Sequence, residues 1–393
     1  MLGTVSAPNY WIPQTGAQMI DSFLIENFRL FESLRLERLA RVNLFVGRNN
    51  SGKSALLEAI EVYASNASPR TLLGLIKARE ETWSGKAQVE FRETYGNPIR
   101  HIFRGHQLPE AGKEGIMLGS IGNPSAKLSV TIAVFKITTD EQGNIRRTLD
   151  VEAQTELWEE DAEIEFALMA TEGDKLRRIM RLDDDIDRTL RRSYASLSLD
   201  VEAKCPIQVV PTQNMTARKV AILWDVIGLT GLAEEVIAGI RLIDPSIAGI
   251  QFVESTVSPR DERVPLVRTT LSDEPLPLRS MGDGITRLFH IILALVTARN
   301  GILLIEEFEN GLHWSVQSSV WKIIFRLAER LNVQVFATTH SRDCINGFED
   351  AWRENESLGA FFRLDADKQG QVQARAYSLD ILADALETAV EVR

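Results

Sequence analysis

Cysteine is almost missing: the 393 residues hold two, Cys205 and Cys344, far apart in the chain. Two such residues build neither a disulfide framework nor a cysteine-rich metal site, and the scarcity fits a reducing cytoplasm. A membrane span is missing as well. The most apolar region, Ile291 to Ile305, is interrupted by Arg299, Asn300 and Gly301, whereas a spanning helix needs about 20 predominantly apolar residues. The first 18 residues lack a basic segment followed by an apolar run, so they do not read as a signal peptide. Met19, just before the first patterned segment, reads as an alternative start. Excess positive charge is absent too: 44 Lys and Arg face 55 Asp and Glu, a formal net charge of -11. That argues against nucleic acid coating the whole surface, while leaving room for a local basic patch. There is no internal repeat, no low-complexity tract and no long heptad run, so a long coiled-coil arm is excluded.

What is present is an ordinary globular composition, 44% hydrophobic and 25% charged, long enough for two or three packed units. Residues 20 to 47 read as strands, with Val42 to Val46 a short buried run ending in Gly47. Leu56, Leu57, Ile60 and Tyr63 then recur at helical spacing. Residues 86 to 150 switch to period two between turn clusters, predicting an antiparallel meander. From about 156 to 200 the mixed charges predict helix, and a strand follows at 206–211. Two helices are predicted over 215–245, then strands at 250–255 and 264–271. Helix 284–298, strand 302–305, helix 314–331 and strand 333–339 alternate, which predicts a parallel sheet.

The segment Gly47-Arg48-Asn49-Asn50-Ser51-Gly52-Lys53-Ser54 fits G-x-x-x-x-G-K-[ST]. Chance gives this pattern in roughly one chain of this length in a hundred; the strand before it and the helix after it supply the context. Glycines let the backbone approach a phosphate, and the loop amides and helix N-terminus supply positive potential. Lys53 is expected to reach the β- and γ-phosphates, and the Ser54 hydroxyl to bind Mg2+. Hydrolysis also needs a metal-binding carboxylate and a group that orients water. The run Ile302-Leu303-Leu304-Ile305-Glu306-Glu307 offers both at the carboxyl end of a buried strand: Glu306 for Mg2+, through water, and Glu307 for the attacking water. Ser280-Met281-Gly282-Asp283-Gly284 precedes an apolar helix and offers Ser280 and backbone amides to a phosphate. Alone it reads equally as a capping loop, Glu309 to His313 as a turn, and the strand-end His340 as a structural histidine.

In this order the motifs resemble the ABC-type ATPase heads of the OLD (overcoming lysogenisation defect), RecF and structural-maintenance-of-chromosomes group. IENFRLFESLRLERLARVNLFVGRNNSGKSALLEAI is similar to the N-terminal segment of OLD-type ATPases. LLIEEFENGLHWSVQ resembles their Walker B and D-loop, SMGDGITRLFHIILAL their signature, and FATTHS their histidine switch. The segment from Leu223 to Phe252 and the tail ending ALETAVEVR are also similar. The resemblance covers both ends of the chain and thins between about 70 and 205. It implies an α/β P-loop NTPase, an ABC-type ATPase head with a mixed core sheet, an antiparallel β subdomain and a helical insertion. The expected layout is an extension over 1–18, a lobe with Walker A and the β subdomain over 19–150, and the helical insertion over 151–245. A second lobe, 246–393, carries signature, Walker B, D-loop and switch.

The resemblance also implies a composite site in which two heads sandwich two ATP molecules, so the protein is at least a homodimer. Each site takes Lys53, Ser54, Glu306, Glu307 and His340 from one subunit and Ser280 and Gly282 from the other. His340 senses the γ-phosphate; Asn310 and Gly311 lie in the D-loop at the interface. Gln88 is the Q-loop candidate. Two positions depart from the pattern: Glu306 replaces the usual Asp, and Phe308 replaces the proline often found after the catalytic glutamate. OLD nucleases continue into a Toprim domain, but about 53 residues after His340 are too few for a compact domain. The acidic run Asp183-Asp184-Asp185-Ile186-Asp187 reads as a solvated mixed-charge face rather than as that metal site. Arg177, Arg178, Arg181, Arg188, Arg191 and Arg192 nearby could meet nucleic acid or an acidic partner. The expected function is a cytoplasmic, Mg2+-dependent ATPase, the sensor or scaffold of an antiviral defence system with a separate effector protein, a nuclease. The alternatives are a RecF-like clamp on DNA and, less consistent with the motifs, a transporter ATPase.

Overall fold

The computed structural model describes residues 19–82, 97–139, 145–150, 164–182, 203–255, 263–388, 390 and 392. Its centre is a six-stranded mixed sheet in the order β16–β15–β3–β14–β13–β9. The strands are β3 (Val42–Val46), β9 (Ile207–Val210), β13 (Ile302–Ile305), β14 (Gln334–Thr338), β15 (Gly359–Ala366) and β16 (Val372–Tyr377). All neighbours run parallel except β15 and β16. β3, β13 and β14 are buried along their whole lengths, as unbroken apolar runs covered on both faces should be.

Successive side chains of these strands feed two separate cores. Val42, Leu44, Leu303, Ile305, Val335 and Ala337 face one way. There they meet helices α3 (Ala217–Thr230), α4 (Ala233–Arg241), α5 (Asp283–Thr297), α6 (Trp314–Arg330) and α7 (Arg342–Arg353). Phe45, Leu304, Phe336, Phe362 and Leu364 face the other way. Phe45 stacks between Phe336 and Phe362, with ring centroids 6.4 and 5.1 Å away. This second face packs on helices α1 (Lys53–Ala64) and α2 (Pro69–Ala78) and on an antiparallel sheet. That sheet runs β2–β1–β4–β5–β7–β8, with β6 also on β5. Its strands are β1 (Phe23–Phe28), β2 (Phe31–Leu36), β4 (Ile116–Gly119), β5 (Leu128–Thr139), β6 (Ile145–Asp150), β7 (Ile164–Glu172) and β8 (Lys175–Arg181). A third, small sheet joins β10 (Ile247–Glu254), β11 (Arg263–Thr269) and β12 (Leu276–Pro277).

The mixed core sheet, the antiparallel subdomain and the β/α alternation of the last third agree with the sequence. The helix expected from about 156 does not: residues 164 to 181 form the β7–β8 hairpin, and among the described residues of the supposed helical insertion the helices are α3 and α4. Charge density suggested a solvated helix, but a two-residue Gly173-Asp174 turn decides the matter. Gly173 sits at φ +55, a conformation that favours hairpin turns and costs other residues energy. The charges are then absorbed across the sheet, where the fully buried Glu165 carboxylate pairs with Arg147, Arg178 and Arg181. Asp183 to Asp187, Arg188, Arg191, Arg192 and Gln88 lie outside the described residues, as does the extension over 1–18. The β15–β16 hairpin and α8 (Leu379–Glu387) were not foreseen. Among the described residues no helix is long and apolar enough to cross a membrane, and the two cysteines are buried and unpaired.

Candidate functional site

The phosphate loop hangs between β3 and α1, and its glycines are required by the chain itself. A Cβ on Gly47 would lie 2.5 Å from the Leu364 carbonyl oxygen and 2.6 Å from Ser51 Oγ. Gly52, at φ +94, lies so close to Phe31 that a Cβ would sit 2.9 Å from the ring. Helix α1 has no side-chain cap, so its first-turn amides have no acceptor within the helix. Ser51 Oγ is buried without a hydrogen-bond partner. Lys53 Nζ donates to the carbonyls of Gly47 (2.6 Å) and Arg48 (2.9 Å). Unsatisfied donors around a turn with no room for a Cβ fit a nucleotide's phosphates. Burial lowers the Lys53 ammonium pKa, an effect opposed by Glu307 and Glu309.

Behind the loop, α1 carries two acids inward. Glu58 is paired with Arg29 and Arg79, and Arg29 reaches Glu81 at 2.9 Å. Glu61 is partly buried; burial pushes its carboxyl up to about 7, opposed by Lys219 and reinforced by Glu58 and Glu306. A carboxyl raised in the folded state gives stability that is complete below its unfolded value and lost as pH rises to about 7. Glu61→Gln should therefore raise the urea unfolding free energy by about 2 kcal/mol at pH 8, with Lys219's lost partner set against the gain. At pH 4 the same comparison should show almost no difference.

The acids follow β13 directly. Glu306 accepts from the Thr212 amide at 3.3 Å and the Thr212 hydroxyl at 3.4 Å. Glu307 adopts φ +44, unusual for a residue with a side chain, and its amide donates to Thr338 Oγ1 at 3.0 Å. Phe308 explains the lost proline. Its amide donates to the Thr338 carbonyl at 2.9 Å, a bond that proline lacks the N–H to make. Its ring is fully buried and stacks on Trp321 at 3.9 Å. Asn310 donates to the Thr212 carbonyl at 2.6 Å, and Gly311 turns at φ +75. His313 caps α6, accepting from the Ser315 amide.

Strand β14 ends beside these acids, because β13 and β14 are neighbours in register from Ile302 and Gln334. His340 Nδ1 lies 3.3 Å from Glu309 Oε1 and 3.9 Å from Glu307 Oε1. On the opposite core face, Ser280 and Gly282 are exposed at the head of α5, where Gly282 has φ +95 and open space around it. Lys53, Glu306, Glu307 and His340 are thus gathered at the carboxyl ends of β3, β13 and β14, while Ser280 and Gly282 lead a helix that belongs to the other core.

Two functional candidates escaped the sequence. Arg287, in α5, is 0% exposed and donates to the carbonyls of Pro211, Glu306 and Glu307 and to Asn214 Oδ1. Burial lowers its pKa to about 10, which still leaves it charged at neutral pH. The only signal was an arginine inside the apolar run ITRLFHIILALV. Glu309 accepts from Thr339 Oγ1 (2.7 Å) and the His340 amide (3.0 Å); nothing in its context distinguished it from a solvated turn residue. Among the described residues no cluster of three or more His, Cys, Asp or Glu could hold a metal by itself. A Mg2+ at Ser54 and Glu306 would therefore share its coordination with phosphate oxygens and water, as that ion prefers.

A phosphate loop, paired acids and a histidine at the ends of neighbouring strands define a P-loop ATPase head of the ABC type. The model for the family described as AAA ATPase domain matches residues 19–180 and 174–345. The chain belongs to that family, and it is an ATP hydrolase. An ATP/GTP phosphatase of Helicobacter pylori is 24% identical over 353 residues, which cover 86% of this chain and 90% of that protein. A DNA replication and repair protein RecF of Listeria welshimeri is 44% identical over 52 residues, 13% of this chain and 14% of that protein. Among solved structures, an SMC head bound to the C-winged helix domain of ScpA aligns with a TM-score of 0.48 at 11% identity. That alignment covers 93% of this chain and all of that one.

Proposed function

We propose that copies of this chain associate through their nucleotide sites and use the ATP cycle to control a larger assembly. One observation carries the reading. The helix after Lys53 and the helix after Ser280 and Gly282 pack on opposite faces of the core sheet. A second copy related by a two-fold axis brings Ser280 and Gly282 to the phosphate loop of the first, and the exposed Trp314 extends the same surface beside the D-loop. Lys53 and the loop amides hold the β- and γ-phosphates, Ser54 and Glu306 the metal, and Glu307 takes the proton of the attacking water. Bound Mg2+ neutralises the charge that builds between the phosphates. ATP then acts as part of the interface, so binding favours closure and hydrolysis releases it.

The finer reading is of the OLD type: a cytoplasmic sensor or scaffold in a prokaryotic antiviral defence system, holding a separate effector, a nuclease. Its support is the resemblance of Ile25 to Ile60 and of Leu303 to Gln317. A RecF-like hold on DNA is the second reading, favoured by exposed Arg146 and Lys175 on β6 and β8. The test is purification from the native host at physiological salt, followed by sizing with and without MgATP. An ATP-dependent dimer carrying a nuclease supports the first reading. Bound DNA, with ATPase activity stimulated by duplex, supports the second. A monomer at saturating MgATP sinks the shared site that both need.

A further inference from the structure

We propose that Glu309 is the positioning residue of His340, holding its ring so that Nε2 meets the nucleotide. The inference rests on the assignment of His340 as the residue that senses the γ-phosphate. The Glu309 side chain is 12% exposed, and its two oxygens accept two hydrogen bonds and face a ring nitrogen. Oε2 accepts from Thr339 Oγ1 at 2.7 Å. Oε1 accepts from the His340 amide at 3.0 Å and faces His340 Nδ1 at 3.3 Å. The amide of Ser341 in turn donates to Thr339 Oγ1 at 3.0 Å. An ionised carboxylate only accepts, so it selects the ring form with hydrogen on Nδ1. Contact with a phosphate then falls to Nε2.

The placement of Glu309 adds a consequence. It directly precedes Asn310 and Gly311, the turn that belongs to the subunit contact in the shared-site reading. Its carboxylate ties that turn to the loop after β14 across 30 residues of chain. A shift of the turn on closure therefore moves the ring of His340 as well, which links association to chemistry. A tie that merely held two loops together would affect stability but would not act through the imidazole.

A double-mutant cycle separates these roles. Turnover and MgATP affinity are measured for Glu309→Gln, Glu309→Ala, His340→Ala and the Glu309→Ala/His340→Ala pair, with melting temperature recorded for each. Glu309→Ala should lower kcat by roughly 10- to 100-fold, as loss of an orienting partner does elsewhere, with MgATP affinity changed less than about threefold. Glu309→Gln keeps an acceptor oxygen and the shape, and should fall between Glu309→Ala and the natural chain. In the His340→Ala background Glu309→Ala should have almost no further effect on kcat. Equal fold-losses with and without His340 overturn the proposal while leaving His340's role intact. Unchanged kcat in His340→Ala overturns the assignment of His340 and the proposal with it. Should Glu309→Ala fail to fold, Glu309→Gln measured with and without His340→Ala gives the same comparison.

Discussion

Glu307→Gln is expected to bind MgATP as the natural chain does, to hydrolyse it roughly 10²- to 10⁴-fold more slowly, and to accumulate as the ATP-bound assembly. The substitution changes one property. Glutamine has the shape of glutamate, and the bonds that set residue 307 are made by its backbone. Its amide donates to Thr338 Oγ1, and its carbonyl accepts from Arg287. The φ of +44 is therefore expected to survive. What disappears is the acceptor for the proton of the attacking water, because a neutral amide is a poor base. The negative charge opposite Lys53 disappears too; Glu307 is the first of the two acids that raise the Lys53 pKa, so phosphate affinity should hold or rise. The readouts are phosphate release and light scattering at saturating MgATP. Hydrolysis at the natural rate would remove Glu307 from the catalytic role, and a monomer under those conditions would remove the nucleotide from the interface.

The parts of this site that could be read in advance share a physical trait: their function is local. Gly47 to Ser54 are proposed to bind through backbone amides and two adjacent side chains, and the strand and helix that present them are contiguous in sequence. Glu306 and Glu307 were visible because a fully buried strand leaves few reasons to end in two acids. The residues that escaped act across the fold. Glu309 meets His340 because β14 lies beside β13, and Arg287 meets Glu306 and Glu307 because α5 packs against the end of β13. The β7–β8 hairpin was misread for a related reason. Its arginines look solvated one at a time, yet two of them, Arg178 and Arg181, converge with Arg147 of β6 on the buried Glu165. Phe308 shows that a departure from a family pattern can be structural. The backbone hydrogen bond to Thr338 and the stack on Trp321 replace whatever rigidity a proline would bring.

Arg287→Met should cost about 3–5 kcal/mol of stability and abolish turnover, although residue 287 lies outside every motif that defines the site. Methionine fills much of the same volume, so the loss is one of donors rather than of packing. The guanidinium makes four hydrogen bonds, three of them to the carbonyls of Pro211, Glu306 and Glu307. Those carbonyls belong to the ends of two neighbouring strands, β9 and β13. Without the arginine they are partly buried acceptors with a partner removed, each costing about 1–3 kcal/mol where water does not reach it. The positive charge also opposes the fields of Glu306, Glu309 and Glu307, in that order of strength. Removing it leaves three carboxylates near one another with less positive charge to balance them. Arg287→Lys keeps the charge but cannot fork across four acceptors, so it should recover part of the stability and little of the rate. The measurement is the urea midpoint of each variant, with phosphate release at a temperature where the variant is folded. A midpoint for Arg287→Met equal to that of the natural chain would show that water satisfies these carbonyls. Full turnover in a folded Arg287→Met would show that Glu307 does not need the clamp. Arg287 belongs to the helix that begins after Ser280 and Gly282 and holds the backbone of Glu306 and Glu307 directly. In the shared-site reading, the element proposed to meet the second copy and the acids of the same chain are therefore fastened together, so a displacement of α5 would be felt at Glu307.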